Sequence, residues 1–158
     1  MIIKYAYDEE ESIRTLIHEY TNMLVSENPE VQKILSTQDY TTELQHLNEK
    51  YGLPYGRLYI AKLEDVPAGC ICLRKIDDDS CEIKRLYVRP QFRGHSIATQ
   101  LISKIIDDAK TIGYKYILLD TLPFLYSAIR LYQNFGFYEV NAYNNNPDST
   151  AIFMRLDL

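Results

Sequence analysis

Tryptophan is absent from this 158-residue sequence, and cysteine, histidine, glycine and proline are scarce, at 3, 3, 6 and 6 residues. Each shortage excludes something. So few glycines and prolines rule out collagen-like repeats and flexible linkers, and there is no internal repeat or low-complexity tract. The cysteines, Cys70, Cys72 and Cys81, are odd in number and lack the paired spacing of a zinc or redox centre. Cys70 and Cys72 fall on one face of a strand, and all three read as core or edge thiols, with no metal expected. His18 and His46 lie on helical pattern with no ligand partners nearby and are assigned no role. No apolar run approaches the roughly eighteen residues of a membrane span. The opening Met1-Ile2-Ile3-Lys4 passes straight into polar sequence, unlike a signal peptide, so the cytoplasm is the expected compartment.

What is present is an ordinary globular composition. At 46% hydrophobic and 25% charged residues the chain is expected to fold as one domain over residues 1–158. A net charge of −5 argues against nucleic acid or an anionic membrane as partner. The charge is unevenly spread. Residues 1–81 carry 8 basic and 15 acidic side chains, whereas residues 82–130 carry 8 basic and 4 acidic. An anionic ligand is expected to dock on that middle third.

Hydrophobic spacing orders the elements. Ile2 to Tyr7 reads as a strand, followed by Asp8 and Glu11 as a carboxylate capping box. A helix to about Ser26 carries Ile13, Leu16, Ile17, Tyr20, Met23 and Leu24 on one stripe. Asn28-Pro29 restarts a helical pattern through Leu35, Leu44 and Leu47, with a break near Ser36-Thr37, and Tyr51-Gly52-Leu53-Pro54 stops it. Strands then follow at Arg57 to Leu63, Ala68 to Ile76 and Cys81 to Val88, joined by polar turns as an antiparallel meander. A helix striped by Ile97, Leu101, Ile102, Ile105, Ala109 and Ile112 ends at Gly113. Tyr114 to Asp120 is a nearly all-apolar strand, as in a sheet covered on both faces. Leu125 to Phe135 is a helix capped by Gly136, and Phe137 to Tyr143 with Thr150 to Leu156 form a last strand pair. The order predicts a mixed α/β (α+β) fold, one sheet layer with helices on it.

The chemistry concentrates where the third strand of the meander runs through Arg89-Pro90-Gln91-Phe92-Arg93-Gly94-His95-Ser96 into a helix. Free N–H groups at a helix start, with the positive end of its dipole, make an anion site suited to a pyrophosphate. Arg93 adds charge-assisted hydrogen bonds, and Gly94 allows close backbone approach.

Arg93-x-x-Ser96-x-Ala98, preceded by Leu86-Tyr87-Val88-x-Pro90, resembles the Arg/Gln-x-x-Gly-x-Gly/Ala loop of the GNAT superfamily of N-acetyltransferases. Ala128-Ile129-Arg130-Leu131-Tyr132-Gln133-Asn134-Phe135-Gly136-Phe137 is similar to that family's Ala-x-x-Leu-Tyr-x-x-x-Gly-Phe block. The element order matches as well, and Leu119 to Pro123 is closest to small bacterial members. The resemblance implies a mostly antiparallel sheet of about seven strands, splayed between the fourth and fifth, with four helices packed on it. It also implies acetyl-coenzyme A as co-substrate. By position, the N–H groups of Arg93, Gly94, His95, Ser96, Ile97, Ala98 and Thr99 would cradle its pyrophosphate, and Leu86, Tyr87 and Val88 would pair with the pantetheine as with an added strand. Two positions depart from the pattern. Ser96 replaces a loop glycine, placing a Cβ and a hydroxyl where the ligand comes close, and Leu125 replaces an asparagine that contacts the pantetheine arm in many members.

Acetyl transfer to an amine needs a neutral amine, stabilisation of the oxyanion and a proton for the departing thiolate. The resemblance makes Tyr132 the acid, although its i, i+3, i+4, i+7 stripe with Leu125, Ala128 and Ile129 also suits mere packing. Glu82, on the fourth strand, is the expected base, with a structural pairing to Lys84 as the alternative. A main-chain N–H near Leu86 or Tyr87 is the expected oxyanion donor. Arg57, Arg85 and Tyr143 are candidates to grip an acceptor carboxylate, or else surface charges and sheet packing. The reading is an N-acetyltransferase acting on a primary amine of a small molecule or peptide by direct attack in a ternary complex. The alternative is a non-catalytic acyl-coenzyme A binding or sensing module. The final strands leave a homodimer open.

Overall fold

The period-two segments do form one sheet. In the computed structural model, which describes residues 1–37 and 40–158, the elements are β1 (Ile2–Tyr5), α1 (Glu10–Glu27), α2 (Val31–Thr37), α3 (Tyr40–Gln45) and α4 (Leu47–Lys50). They continue as β2 (Arg57–Leu63), β3 (Val66–Lys75), β4 (Ser80–Val88), a 3-10 turn (Pro90–Phe92) and α5 (Ile97–Ile112). The chain closes with β5 (Tyr116–Thr121), α6 (Tyr126–Phe135), β6 (Tyr138–Val140) and β7 (Ile152–Asp157). The sheet order is β1-β2-β3-β4-β5-β7-β6, antiparallel throughout except between β4 and β5.

Alternating residues of the sheet feed two cores. Tyr59, Ala61, Ile71 and Leu73 pack with Ile97, Leu101, Ile102, Ile105 and Ala109 of α5. Leu58, Ile60, Cys70 and Cys72 pack with Ile13, Leu16 and Ile17 of α1 and with Leu44, Leu47 and Tyr51. All three cysteines are buried free thiols, pushed above their ordinary pKa by burial, Cys70 to about 12.

Three expectations about local structure are corrected. The Asp8 capping box does not form. Helix α1 starts at Glu10 with Glu9 at its N-cap and no side-chain cap, because the Glu9 carboxylate is taken by Lys62 at 2.6 Å and Lys4 at 3.1 Å. The helical pattern after Pro29 does not run unbroken to Leu47: among the described residues Tyr40–Gln45 ends at His46 and Leu47–Lys50 is a separate turn of helix, and the apolar residues of the pattern serve different cores. Ile34 and Leu35 join Leu24 and Leu122, whereas Leu44 and Leu47 join the core under α1. The predicted pattern also runs through Gln38 and Asp39, which lie outside the described residues. Strand β6 stops at Val140 instead of reaching Tyr143, because the chain there leaves the sheet edge and sends Tyr143 and Asn144 to carboxylates on β4 and β5.

Candidate active site

Strands β4 and β5 are paired only at Ser80–Tyr116, Cys81–Ile117 and Glu82–Leu118. Beyond Glu82 they separate, leaving the β5-facing side of residues 83–88 without a strand partner. On its other side β4 carries a bulge. Cys70 opposes Tyr87 and Cys72 opposes Lys84, so Arg85 and Leu86 together face Ile71. Arg85 takes φ +60°, a strained value for a side-chain-bearing residue. Two contacts pin it there. The Cys70 thiol donates to its carbonyl at 3.4 Å, and its guanidinium forks onto Glu43 of α3, Nε–Oε2 2.9 Å and Nη2–Oε1 3.2 Å. Lys50 also reaches Glu43 Oε1 at 2.5 Å. Burial raises the Glu43 pKa, but Arg85 and Lys50 more than reverse this and hold it at about 2.

The gap between the strands opens into two adjoining cavities. The larger, about 580 Å³, runs between β4 and α6, walled by Leu86, Tyr87, Val88, Leu125, Ala128 and Leu131, with Arg93 and Ala98 at its outer end. The smaller, about 80 Å³, lies deeper and is lined by Lys84, Arg85, Asp120, Thr121, Tyr132 and Asn146 together with aliphatic side chains. Tyr20, Leu86 and Leu125 border both. Tyr20 stacks obliquely on Tyr87 with ring centroids 5.7 Å apart, and burial raises its pKa to about 12.

The outer end is made of backbone. Gly94 (φ +88°) and Ser96 (φ +59°) both adopt left-handed conformations leading into α5. None of the N–H groups from Gly94 to Thr99 has a hydrogen-bond acceptor among the described residues, as the start of a helix requires unless a ligand or water supplies one. Gly94, His95, Ser96 and Thr99 are exposed, Ala98 is half-buried and the Ile97 side chain is buried in the core, which leaves only its amide for the loop. The Ser96 hydroxyl makes no cap. A run of unsatisfied amides with positive φ at two positions fits a pyrophosphate, and the adjoining groove fits an extended arm.

The inner end is made of side chains. Tyr132 is buried on α6 and lines the small cavity. Burial, with Tyr20 and Asp120 adding to it, raises its pKa, so the phenol stays protonated. Glu82 lies outside both cavities. It is 1% exposed, with Oε1 held by Arg74 at 2.6 Å and Oε2 by Tyr143 at 2.5 Å, and its partner is therefore Arg74 rather than Lys84. Asp120, which the sequence reading passed over, faces the small cavity. Asn144 and Asn146 donate to its Oδ2 at 2.8 and 3.3 Å, while Oδ1 receives no hydrogen bond among the described residues. The available signal was one charge closing an otherwise apolar strand.

Part of the basic middle third is neutralised in the fold. Arg85 is bound to Glu43, and Arg89 forks onto Glu19 of α1 at 2.6–3.1 Å. Arg93, exposed and only loosely placed against the Val88 carbonyl at 3.4 Å, is the arginine that borders the larger cavity. Arg57 is a packing residue, bound to Asp108 and to the carbonyls of Pro54 and Gly56.

Comparison with known proteins agrees with this geometry. The chain is 38% identical over 126 residues to an uncharacterized N-acetyltransferase of Schizosaccharomyces pombe, covering 78% of this chain and 77% of that one. Among solved structures, an acetyltransferase from Streptococcus agalactiae superposes with a TM-score of 0.77 at 22% identity, covering 99% and 98% of the two chains. A GNAT family acetyltransferase from Elizabethkingia anophelis, solved with acetyl-coenzyme A bound, superposes with a TM-score of 0.58 at 27% identity, covering 72% and 83%. The family model for the Acetyltransferase (GNAT) family matches residues 17–137, and the chain belongs to that family.

Proposed function

We propose that the protein transfers an acetyl group from acetyl-coenzyme A to a primary amine of a small molecule, with both substrates bound together. The observation that carries this reading is the pair of adjoining cavities between β4 and β5. One ends on a run of unsatisfied amides, and the other on a buried phenol and a half-free carboxylate. Acetyl-coenzyme A bound to the Elizabethkingia relative supports the choice of donor.

In this reading the amides of Gly94 to Thr99 hold the pyrophosphate, the Arg93 amide being taken by the Pro90 carbonyl at 3.3 Å, the Arg93 side chain adds charge, and the pantetheine lies along Leu86, Tyr87 and Val88 where β4 has no strand partner. Bound there, acetyl-coenzyme A supplies a thioester activated for attack. The main-chain N–H of Leu86 or Tyr87, beside the bulge, stabilises the oxyanion. The ammonium form of the acceptor loses one proton to become nucleophilic. Its nitrogen forms the bond to the carbonyl carbon as the carbon–sulfur bond breaks and gives up a second proton to become the amide, while the sulfur takes a proton from Tyr132, which solvent then restores. One proton is released overall.

Two carboxylates compete to accept the amine's proton. Glu82 is saturated by Arg74 and Tyr143, which suits orienting Tyr143 and the β6–β7 connection. Asp120 faces the acceptor cavity with an open oxygen, and we assign it the contact with the amine. A single experiment tests the whole reading: acetyl-coenzyme A is titrated calorimetrically into folded protein, then thiol release is followed against pH with a panel of amines in the wild type, Asp120→Asn and Glu82→Gln. Expected are binding heat, thiol release, and loss of the acidic limb in Asp120→Asn alone. The same loss in Glu82→Gln alone returns the base to Glu82. Binding without release for any amine favours the sensing module, and no heat at all removes the enzymatic assignment.

A further inference from the structure

Lys84 is the odd cation of this site. Around it Arg85 and Lys50 are paired with Glu43, and Arg74 with Glu82. Lys84 lines the small cavity and has no hydrogen bond or ion pair among the described residues. Burial first, and the Arg85 charge second, push its pKa down, while Glu82 and Asp120 pull it up. An ammonium withdrawn from water without a counter-charge is costly, and the cost is relieved when a ligand brings an anion. Across the gap, Asp120 offers the opposite charge with one oxygen open, and the two side chains interact without pairing. The pair thus presents a cation on β4 and an anion on β5 with space between them. The cavity, about 80 Å³ and adjoining the larger one, has room only for a small acceptor. Its other walls combine aliphatic side chains, Leu24, Ile34, Leu122 and Leu125 among them, with the polar Tyr20, Thr121 and Asn146 and with Arg85, whose charge is bound to Glu43.

Building on the acetyl-transfer reading, we propose that the acceptor is a small free amino acid with an aliphatic side chain, its carboxylate bound by Lys84 and its amine by Asp120. The carboxylate supplies the missing counter-charge, the amine meets the half-free Oδ1, and the side chain lies against the aliphatic wall. The product is the N-acetyl amino acid. A peptide amino terminus offers the amine but no adjacent carboxylate, and a simple alkylamine offers neither charge nor fit to Lys84.

The test compares valine, valinamide and isobutylamine at saturating acetyl-coenzyme A. The expected wild-type kcat/KM for valine exceeds that for each of the other two by at least about a hundredfold, because a buried polar group left unpaired discriminates strongly. In Lys84→Met the ratio falls to within a few-fold of one, and Lys84→Arg restores part of it, with melting curves confirming that both variants fold. Equal wild-type rates for all three compounds overturn the proposal while leaving acetyl transfer intact. Valine binding is also measured calorimetrically on protein loaded with coenzyme A. Binding that vanishes in Lys84→Met, without thiol release from any acceptor, keeps the amino-acid site and removes the acetyl-transfer reading. Absence of valine binding to the loaded wild type overturns the amino-acid site.

Discussion

The two ends of the cleft are built from different material. The outer end, from Gly94 to Thr99, offers main-chain N–H groups in an exposed loop, with Arg93 as its one cationic side chain at the cavity mouth. The inner end offers side chains, the buried Tyr132 and the half-buried Lys84 and Asp120, contributed by α6, β4 and β5. Backbone recognition tolerates sequence change and suits a ligand common to many enzymes, whereas a constellation of side chains suits a ligand particular to one. Substitutions should therefore separate the two ends.

The largest separation is expected at Tyr132. Tyr132→Phe removes the proton for the departing thiolate but leaves the loop amides untouched. Turnover is expected to fall by about 10²–10⁴, while the dissociation constant for coenzyme A stays within about threefold of wild type. Stopped assays of thiol release alongside calorimetry measure both. Weakened coenzyme binding of the same magnitude would mean that the two ends are not separable, and unchanged turnover takes Tyr132 out of the reaction.

This division also governs what could be read from the sequence. The coenzyme loop was legible because its constraints are local: a strand, a left-handed glycine and a helix start lie within a few residues. The stripe and C-terminal glycine of α6 are local in the same way. Asp120 was not legible, because its carboxylate joins a site only when Asn144 and Asn146, some 24 and 26 residues later, fold back onto it. Glu82 and Lys84 share a strand, yet their environments are set by Arg74, Tyr143 and the splay of β5, and no pattern along β4 separates the saturated carboxylate from the lone ammonium. The wide charge imbalance of residues 82–130 is narrowed in the fold, since Glu43 and Glu19 from the acidic half return to pair with Arg85 and Arg89, which no local pattern shows.

The bulge that divides the two ends rests on Glu43, and pH exposes this. Its folded pKa of about 2 lies below the ordinary 4.5, so the ion pair contributes stability that is fully present above pH 4.5 and is lost as the pH falls toward 2. The loss expected over that window is about 3 kcal/mol. Glu43→Gln removes the carboxylate onto which the buried Arg85 guanidinium forks, and the expected cost at pH 7 is about 3–5 kcal/mol. Urea midpoints at pH 7 and pH 2 check both values. The variant's midpoint should change less between the two pH values than the wild type's, and an identical change places the acid-sensitive pair elsewhere.

The smallest effect is expected at Ser96, and it sharpens the comparison most. Ser96 holds φ +59° with an exposed side chain and no cap, a conformation that costs a serine about 1 kcal/mol more than a glycine. If the outer end works through its backbone alone, Ser96→Gly should raise stability by about 0.5–1 kcal/mol. Coenzyme A should then bind equally well or up to a few-fold tighter, because a Cβ is removed from the cradle. Weaker binding despite higher stability would show that the hydroxyl donates to a phosphate oxygen. The outer end would then carry a side-chain contact of its own, and serine in place of the family's glycine would be a gain in grip rather than a tolerated strain.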